Sequence, residues 1–138
     1  MIEHEELESL NQWFSSAAGR YVRSWEQRYI SRLVRQEFGY YAVQIGLPQW
    51  DFMRHNRVLH KWCTTQQGLG KPTNYAMVLC AAEYLPFANE SIDLLVLPHT
   101  LETSSDPHQI LREVQRVLVP EGTVVISGFN PWSLWSLA

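Results

Sequence analysis

Cysteine is scarce in this chain. Cys63 and Cys80 are the two among 138 residues, and no CxxC or paired-ligand spacing accompanies them. A disulfide framework is therefore excluded, and a zinc site built from His60, Cys63, Cys80 and His99 gives way to buried thiols and ordinary imidazoles. Positive charge is also short: 11 Lys and Arg stand against 14 Asp and Glu, leaving a formal net charge of −3. That balance argues against a nucleic-acid partner held by a broad basic surface, because such binding is driven by phosphate neutralisation. No apolar run approaches the roughly 20 residues of a membrane-spanning helix, so no membrane is expected. The N-terminus lacks the basic, apolar, small-residue order of a signal peptide, and a reducing cytoplasmic setting is the expectation. The GLGK at 68–71 lacks the spacing and the following Ser or Thr of a phosphate loop.

What remains is an ordinary globular composition. An apolar fraction of 46% is enough for a core, and the length fits one domain. The clearest stretch runs from Ala81 to Ile126 and reads as turn, buried strand, loop, capped helix, turn and second buried strand. That is one βαβ unit, which implies a parallel pair. Asp93 to Leu97 is a short continuous apolar run of the kind a strand covered on both faces needs. Asp106 can cap the helix, Pro107 fits its first position, and Gln109 stands where a capping box wants an amide or acid. Ile110, Leu111, Val114, Val117 and Leu118 form its apolar stripe. Pro120 and Gly122 are expected to end it before a strand at Thr123 to Ile126.

This stretch resembles a known family. Leu85-Pro86-Phe87, Ile92-Asp93-Leu94, Leu101-Glu102, Leu111-Arg112-Glu113, Arg116-Val117-Leu118 and Pro120-Glu121-Gly122 follow one another. Their order is similar to the C-terminal half of class I S-adenosylmethionine-dependent methyltransferases of the small-molecule type. The resemblance implies a three-layer, Rossmann-like α/β fold with a mostly parallel five-stranded sheet, in the order 3-2-1-4-5. It also implies a nucleoside cofactor at the carboxyl ends of the strands.

Ahead of that unit, Glu3 to Ala18 places Leu7, Leu10, Phe14 and Ala17 on one face. After Gly19, read as a break, a second helix from Arg20 to about Glu37 carries a stripe of Val22, Trp25, Tyr29 and Leu33. Its Arg23, Arg28, Arg32 and Arg35 read as a solvated face. The domain thus divides into leading helices over 1–38 and an α/β core over 39–138. In the family such helices cover the cofactor or admit substrate, and the resemblance implies the same role for these.

Strands are expected at Tyr41 to Gly46, Arg57 to Cys63 and Tyr75 to Cys80, with a crossover helix of one or two turns after Gly46 and an exposed loop over 64–74. The family's first loop carries an acid, one residue, and three alternating glycines. Here Gln44 replaces the acid, Gly46 is the one glycine kept, and Pro48 and Trp50 fill the other two positions. No acid stands after the second strand, where the family grips the ribose hydroxyls, and Ala81 fills the position of the acid that reaches adenine. Losing three charge-assisted hydrogen bonds at about 1.5–3 kcal/mol each would weaken binding by several decades. Two readings stay open: different contacts, with adenine stacked on Trp62 or Trp50, or a silent domain kept as a binding module.

On the resemblance, the cofactor is expected against Gln44, Gly46 and Trp62. Ala81, Ala82, Leu85 and Pro98 complete its surroundings. His99 is the candidate general base, set against a packing role. Asn130-Pro131-Trp132 is similar to the loop of nitrogen-directed methyltransferases, but it follows the fifth strand instead of the fourth, and the match is rejected. The family's last two strands are expected to be missing after Ala138. The fifth strand would then be an open edge, inviting self-association. The functional expectation is a methyltransferase acting on a small-molecule acceptor.

Overall fold

Five strands form one sheet in the order β3-β2-β1-β4-β5, and every neighbouring pair is parallel. This computed structural model describes residues 12–13, 15–35, 37–54, 56–66 and 75–128. The elements run α1 (Ala17–Val34), β1 (Tyr41–Ile45), β2 (His60–Thr65), β3 (Ala76–Leu79), β4 (Ile92–Pro98), α2 (Pro107–Val117) and β5 (Leu118–Ser127). One face of the sheet packs α1 through Ile30 and Val34 onto Ala42, Leu94 and Val96. The other packs α2 through Ile110, Val114 and Val117 onto Val43, Leu95 and Leu97. The sheet order matches the one expected from the resemblance, while most expectations for residues 1–14 fall outside the described residues.

Helix α2 forms as its caps dictate. The Asp106 side chain accepts from the Gln109 amide at 3.2 Å, and Pro107 opens the first turn. Its buried stripe is narrower than expected, because Leu111 is exposed. Pro120 and Gly122 do not separate it from β5. The strand starts at once with Leu118 opposite Ile92, then the register jumps so that Leu94 faces Thr123. Pro120 and Glu121, the latter at φ 67°, occupy that bulge, where a missing donor does no harm.

A clamp explains why the family strings around this helix occur together. Glu113 Oε1 accepts from the Leu85 amide at 2.9 Å. Arg116 donates to the Leu85 and Phe87 carbonyls at 2.9 and 2.8 Å and to Asn89 Oδ1 at 2.9 Å, while its Nε bonds Glu113. The planar guanidinium fork thus ties the Leu-Pro-Phe loop to the helix, a job a point charge would do less well. Hydrogen bonding from Arg116 holds the Glu113 carboxyl below its ordinary value.

Helix α1 differs from its expectation. It begins at Ala17, because the Ser16 hydroxyl accepts from the Gly19 amide at 3.1 Å and caps it; Gly19 lies inside the helix, buried, instead of breaking it. The inward stripe is Gly19, Glu26, Ile30 and Val34, whereas Trp25, Tyr29 and Leu33 face outward. Polar anchors set this rotation. Gln27 Nε2 donates to the Asp51 carbonyl and Ser31 Oγ to the Phe52 carbonyl, while Asn56 Nδ2 reaches the Val34 carbonyl at the helix end.

No helix joins β1 to β2 among the described residues, contrary to the expected short crossover helix. Turns closed by Trp50 N to Leu47 O and Asn56 N to Met53 O take its place. Trp50, Phe52 and Met53 fill the volume beneath them. Strand β2 is also shifted, ending at Thr65 instead of Cys63. Strand β3 is an edge with most of its residues exposed.

The entry to β1 depends on Gly39. Asp93 Oδ2 accepts from the Tyr40 and Tyr41 amides at 2.9 and 3.1 Å. A Cβ at Gly39 would meet Asp93 Cβ and Cγ at 2.4 Å, with φ at +150°. Gly39→Ala is therefore expected to lower stability by about 1–3 kcal/mol through overpacking and strain. Urea denaturation reads it, and a midpoint equal to the parent's would refute this account of the Asp93 contact.

Candidate functional site

The strand order reverses direction at β1, with β2 on one side and β4 on the other, which in open α/β sheets marks the ligand crevice. Gly46 ends β1 there. Its φ is +86°, its amide donates to the Thr64 carbonyl at 3.1 Å, and a Cβ built on it would meet nothing within 4 Å. The backbone at this point faces open space. Across the rim, the Ala81 carbonyl accepts from the Tyr84 amide in a tight turn, which leaves Ala82 and Leu85 buried. Pro98 closes β4, buried and in register with Ser127. Thr100 Oγ1 donates to the Ile45 carbonyl at 2.8 Å and binds the β1 and β4 ends together.

Gln44 stands one residue before Ile45 with its side chain fully buried. Its Nε2 shares two N–H groups among the Gly46, Leu47 and Trp50 carbonyls, at 3.0, 2.9 and 2.9 Å, and its Oε1 accepts from the Phe52 amide. The amide is consumed in shaping the loop. An acid could not do this, since a carboxylate has no donors to offer three carbonyls. Cys63, beneath Gly46, is pushed up to about 12 by burial and stays a thiol.

The two tryptophans considered for stacking are both engaged. Trp50 is 2% exposed, with Phe52 edge-on at 5.9 Å and the Arg23 guanidinium 4.7 Å from its ring centre. Trp62 stacks on Tyr41 at 5.3 Å and leans on Phe87 at 6.1 Å. Because β2 runs on to Thr65, its rim residues are Thr64 and Thr65, and Trp62 lies further down the strand.

His99 follows β4 at φ +55° and is buried. Its Nε2 lies 2.9 and 2.8 Å from the two Glu26 oxygens, and its Nδ1 contacts Glu102 Oε1. Burial alone would lower its pKa, but the hydrogen bonds to Glu102 and Glu26 outweigh it and push it up to about 9. The ring is an imidazolium with both N–H groups already donated. Such a group holds a proton at neutral pH and does not accept one, so the geometry favours positioning over general base catalysis. Glu26 is the residue that sequence reasoning missed. Its signal was present: the sole acid of α1 lies on the 26, 30, 34 stripe with Ile30 and Val34.

No group of three or more His, Cys, Asp or Glu residues that could hold a metal occurs among the described residues. The one observation at the rim that suits close approach of an adenosyl group is the open space at Gly46, where a Cβ would meet nothing within 4 Å. Gln44, Thr64 with Thr65, and Ala81 stand there in place of carboxylates, and Gln44 and Thr64 are buried.

Comparison with known proteins bears on this rim. Residues 50–126 match the family model described as a methyltransferase domain. The uncharacterized protein YafS of Escherichia coli (strain K12) is 32% identical over 126 residues, 91% of this chain and 50% of that protein. The ubiquinone/menaquinone biosynthesis C-methyltransferase UbiE of Hahella chejuensis (strain KCTC 2396) is 38% identical over 61 residues, 44% of this chain and 24% of that protein. The chain thus spans half or less of the curated relatives it matches. Among solved structures, the complex of the Haloferax volcanii Trm112 methyltransferase activator with a protein described as a methyltransferase gives a TM-score of 0.67 at 18% identity, covering 86% of this chain and 58% of that one. A protein of Methanococcus maripaludis described as an S-adenosyl-L-methionine-dependent methyltransferase gives 0.62 at 13% identity, covering 91% and 63%. At these identities the structures establish the fold.

Proposed function

The chain belongs to the class I methyltransferase domain family, whose cofactor is S-adenosylmethionine, and from that premise we propose that it binds this cofactor at the Gly46 rim and methylates a small molecule. The observation that carries the proposal is Gly46 itself: a left-handed glycine facing open space where the strand order reverses. The curated relatives named for quinone biosynthesis support a small-molecule acceptor. When bound, the cofactor supplies an electrophilic methyl group on sulfur. Gly46 would allow close backbone approach, the turn at Ala81 and Ala82 would border the nucleoside, and Leu85 and Pro98 would supply apolar surface beside it. Gln44 shapes the loop from beneath without touching ligand. Trp62 braces β2 in the same indirect way. His99 is a positioning residue that fixes α1 against the end of β4 through Glu26. Among the described residues β5 is the last strand of the sheet, and its outer edge is the surface we assign to self-association.

Calorimetric titration with S-adenosylhomocysteine tests the reading, and micromolar affinity is the expected result. Gly46→Asn keeps a residue that tolerates positive φ while placing a side chain in the open space. It is expected to weaken binding at least tenfold with little change in melting temperature. A second reading rests on a specific observation: Gln44, Thr64 with Thr65, and Ala81 stand at all three positions where the family keeps acids. If millimolar S-adenosylhomocysteine does not bind, the domain is a silent binding module and the first reading falls.

A further inference from the structure

The outer face of α1 carries two adjacent ridges that the rim does not use. Tyr21, Trp25, Tyr29 and Leu33, at successive fourth positions, are 72, 53, 48 and 48% exposed, and the Trp25 and Tyr29 rings stack at 5.1 Å. Beside them Arg28, Arg32 and Arg35 recur at i, i+4 and i+7. With Arg54 of the β1–β2 connection they line a groove of about 580 Å³ that also holds Ser31 and Asp51.

These arginines stand without acidic partners in the described ion pairs, and the sole acid of α1, Glu26, is turned inward to His99. Like charges at this spacing weaken a helix. Four arginines stand against the single acid Asp51 in the groove's lining, which leaves it net positive on a chain whose net charge is −3. Asp51 Oδ1 is buried in the wall with no hydrogen-bond partner among the described residues. A ligand filling the groove would combine an anion for the guanidinium groups with a hydroxyl for Asp51.

We propose that α1 docks on an anionic phospholipid surface, with glycerol-type phosphate headgroups in the arginine groove and the aromatic ridge at the headgroup–acyl boundary. A basic helix with exposed Trp, Tyr and Leu beside its cations suits that interface. Single-stranded nucleic acid also uses arginine and aromatic rings. It fits less well, because two of the three rings stack on each other and the ridge ends in aliphatic Leu33. The docking is peripheral: no helix among the described residues is long and apolar enough to cross a membrane.

Co-sedimentation of the full chain with phosphatidylcholine vesicles, with and without phosphatidylglycerol, tests this. Sedimentation is expected with the phosphatidylglycerol vesicles alone, weakened at least tenfold by high salt. Arg28→Glu with Arg32→Glu should abolish it, and so, separately, should Trp25→Ser with Tyr29→Ser. All four side chains are exposed, so circular dichroism and melting temperature should match the parent. Four results would overturn the proposal: equal binding to pure phosphatidylcholine, no vesicle binding, displacement by millimolar inorganic phosphate, or tighter binding to a single-stranded oligonucleotide. None of these readouts depends on methyl transfer.

Discussion

His99→Leu is expected to destabilise the fold by about 3–5 kcal/mol, the usual cost of stripping one partner from a buried ion pair. The imidazolium is enclosed between Glu26 and Glu102, and its loss leaves the largely buried Glu26 carboxylate facing leucine. A domain of this size has about 5–15 kcal/mol in total, so the variant should unfold at a much lower urea concentration. Removing the acid as well, in His99→Leu with Glu26→Leu, should recover much of the loss, because the desolvation cost goes with the charge. The parent's pH dependence gives an independent check. A pKa raised from an ordinary 6.5 to about 9 means that the folded state keeps a proton the unfolded state has released. The stabilisation is complete below about 6.5, declines as pH rises, and is gone above the folded-state value. The window corresponds to stability on the order of 3 kcal/mol. A parent protein equally stable at pH 6.5 and 9.5 would refute the charged pair, as would an identical pH profile in His99→Leu.

Gln44→Glu restores the acid that the family keeps at this position, yet it is expected to harm the protein and leave cofactor affinity no better. The new carboxylate would face the carbonyls of Gly46, Leu47 and Trp50, all now served by the Gln44 amide. Burying a charge against three acceptors, and stranding those acceptors, should cost on the order of 3 kcal/mol unless the side chain takes up a proton. Gln44→Leu removes the charge problem but leaves the carbonyls unserved, and its loss should be of similar size. Thermal melting and S-adenosylhomocysteine titration together decide the matter. If Gln44→Glu binds more tightly than the parent and melts no lower, Gln44 faces the ligand after all, and the loop is held by something else.

The parts of the fold that could be read from the sequence are those with local signals. The cap at Asp106 and the run from Asp93 to Leu97 lie within a few residues of what they organise, and α2 and β4 formed there, β4 extending one residue further at each end. The orientation of α1 could not be read by hydrophobicity, because its inward stripe includes Glu26, whose partner His99 is 73 residues away. Gln27 and Ser31, which fasten the helix to the β1–β2 connection, look like ordinary surface residues until that connection is in place. The crossover helix failed for a related reason. Connections of this kind are commonly helical, but in this chain one buried amide organises turns over Trp50, Phe52 and Met53. At the rim, the glycine at 46 that ends β1 was legible from the chain, and spacing alone could not show that Trp50 turns into the core.

The tie between Arg116, Glu113 and the Leu85–Phe87 loop has a consequence for how such chains are recognised. Part of the span that matches the family is joinery, since Arg116 secures the backbone at Leu85 and Phe87 and the match begins only at Trp50. Selection on foldability alone would preserve those letters long after any pressure to grip a nucleoside had lapsed. Pattern searches built on them will therefore gather working enzymes and retired ones into the same set.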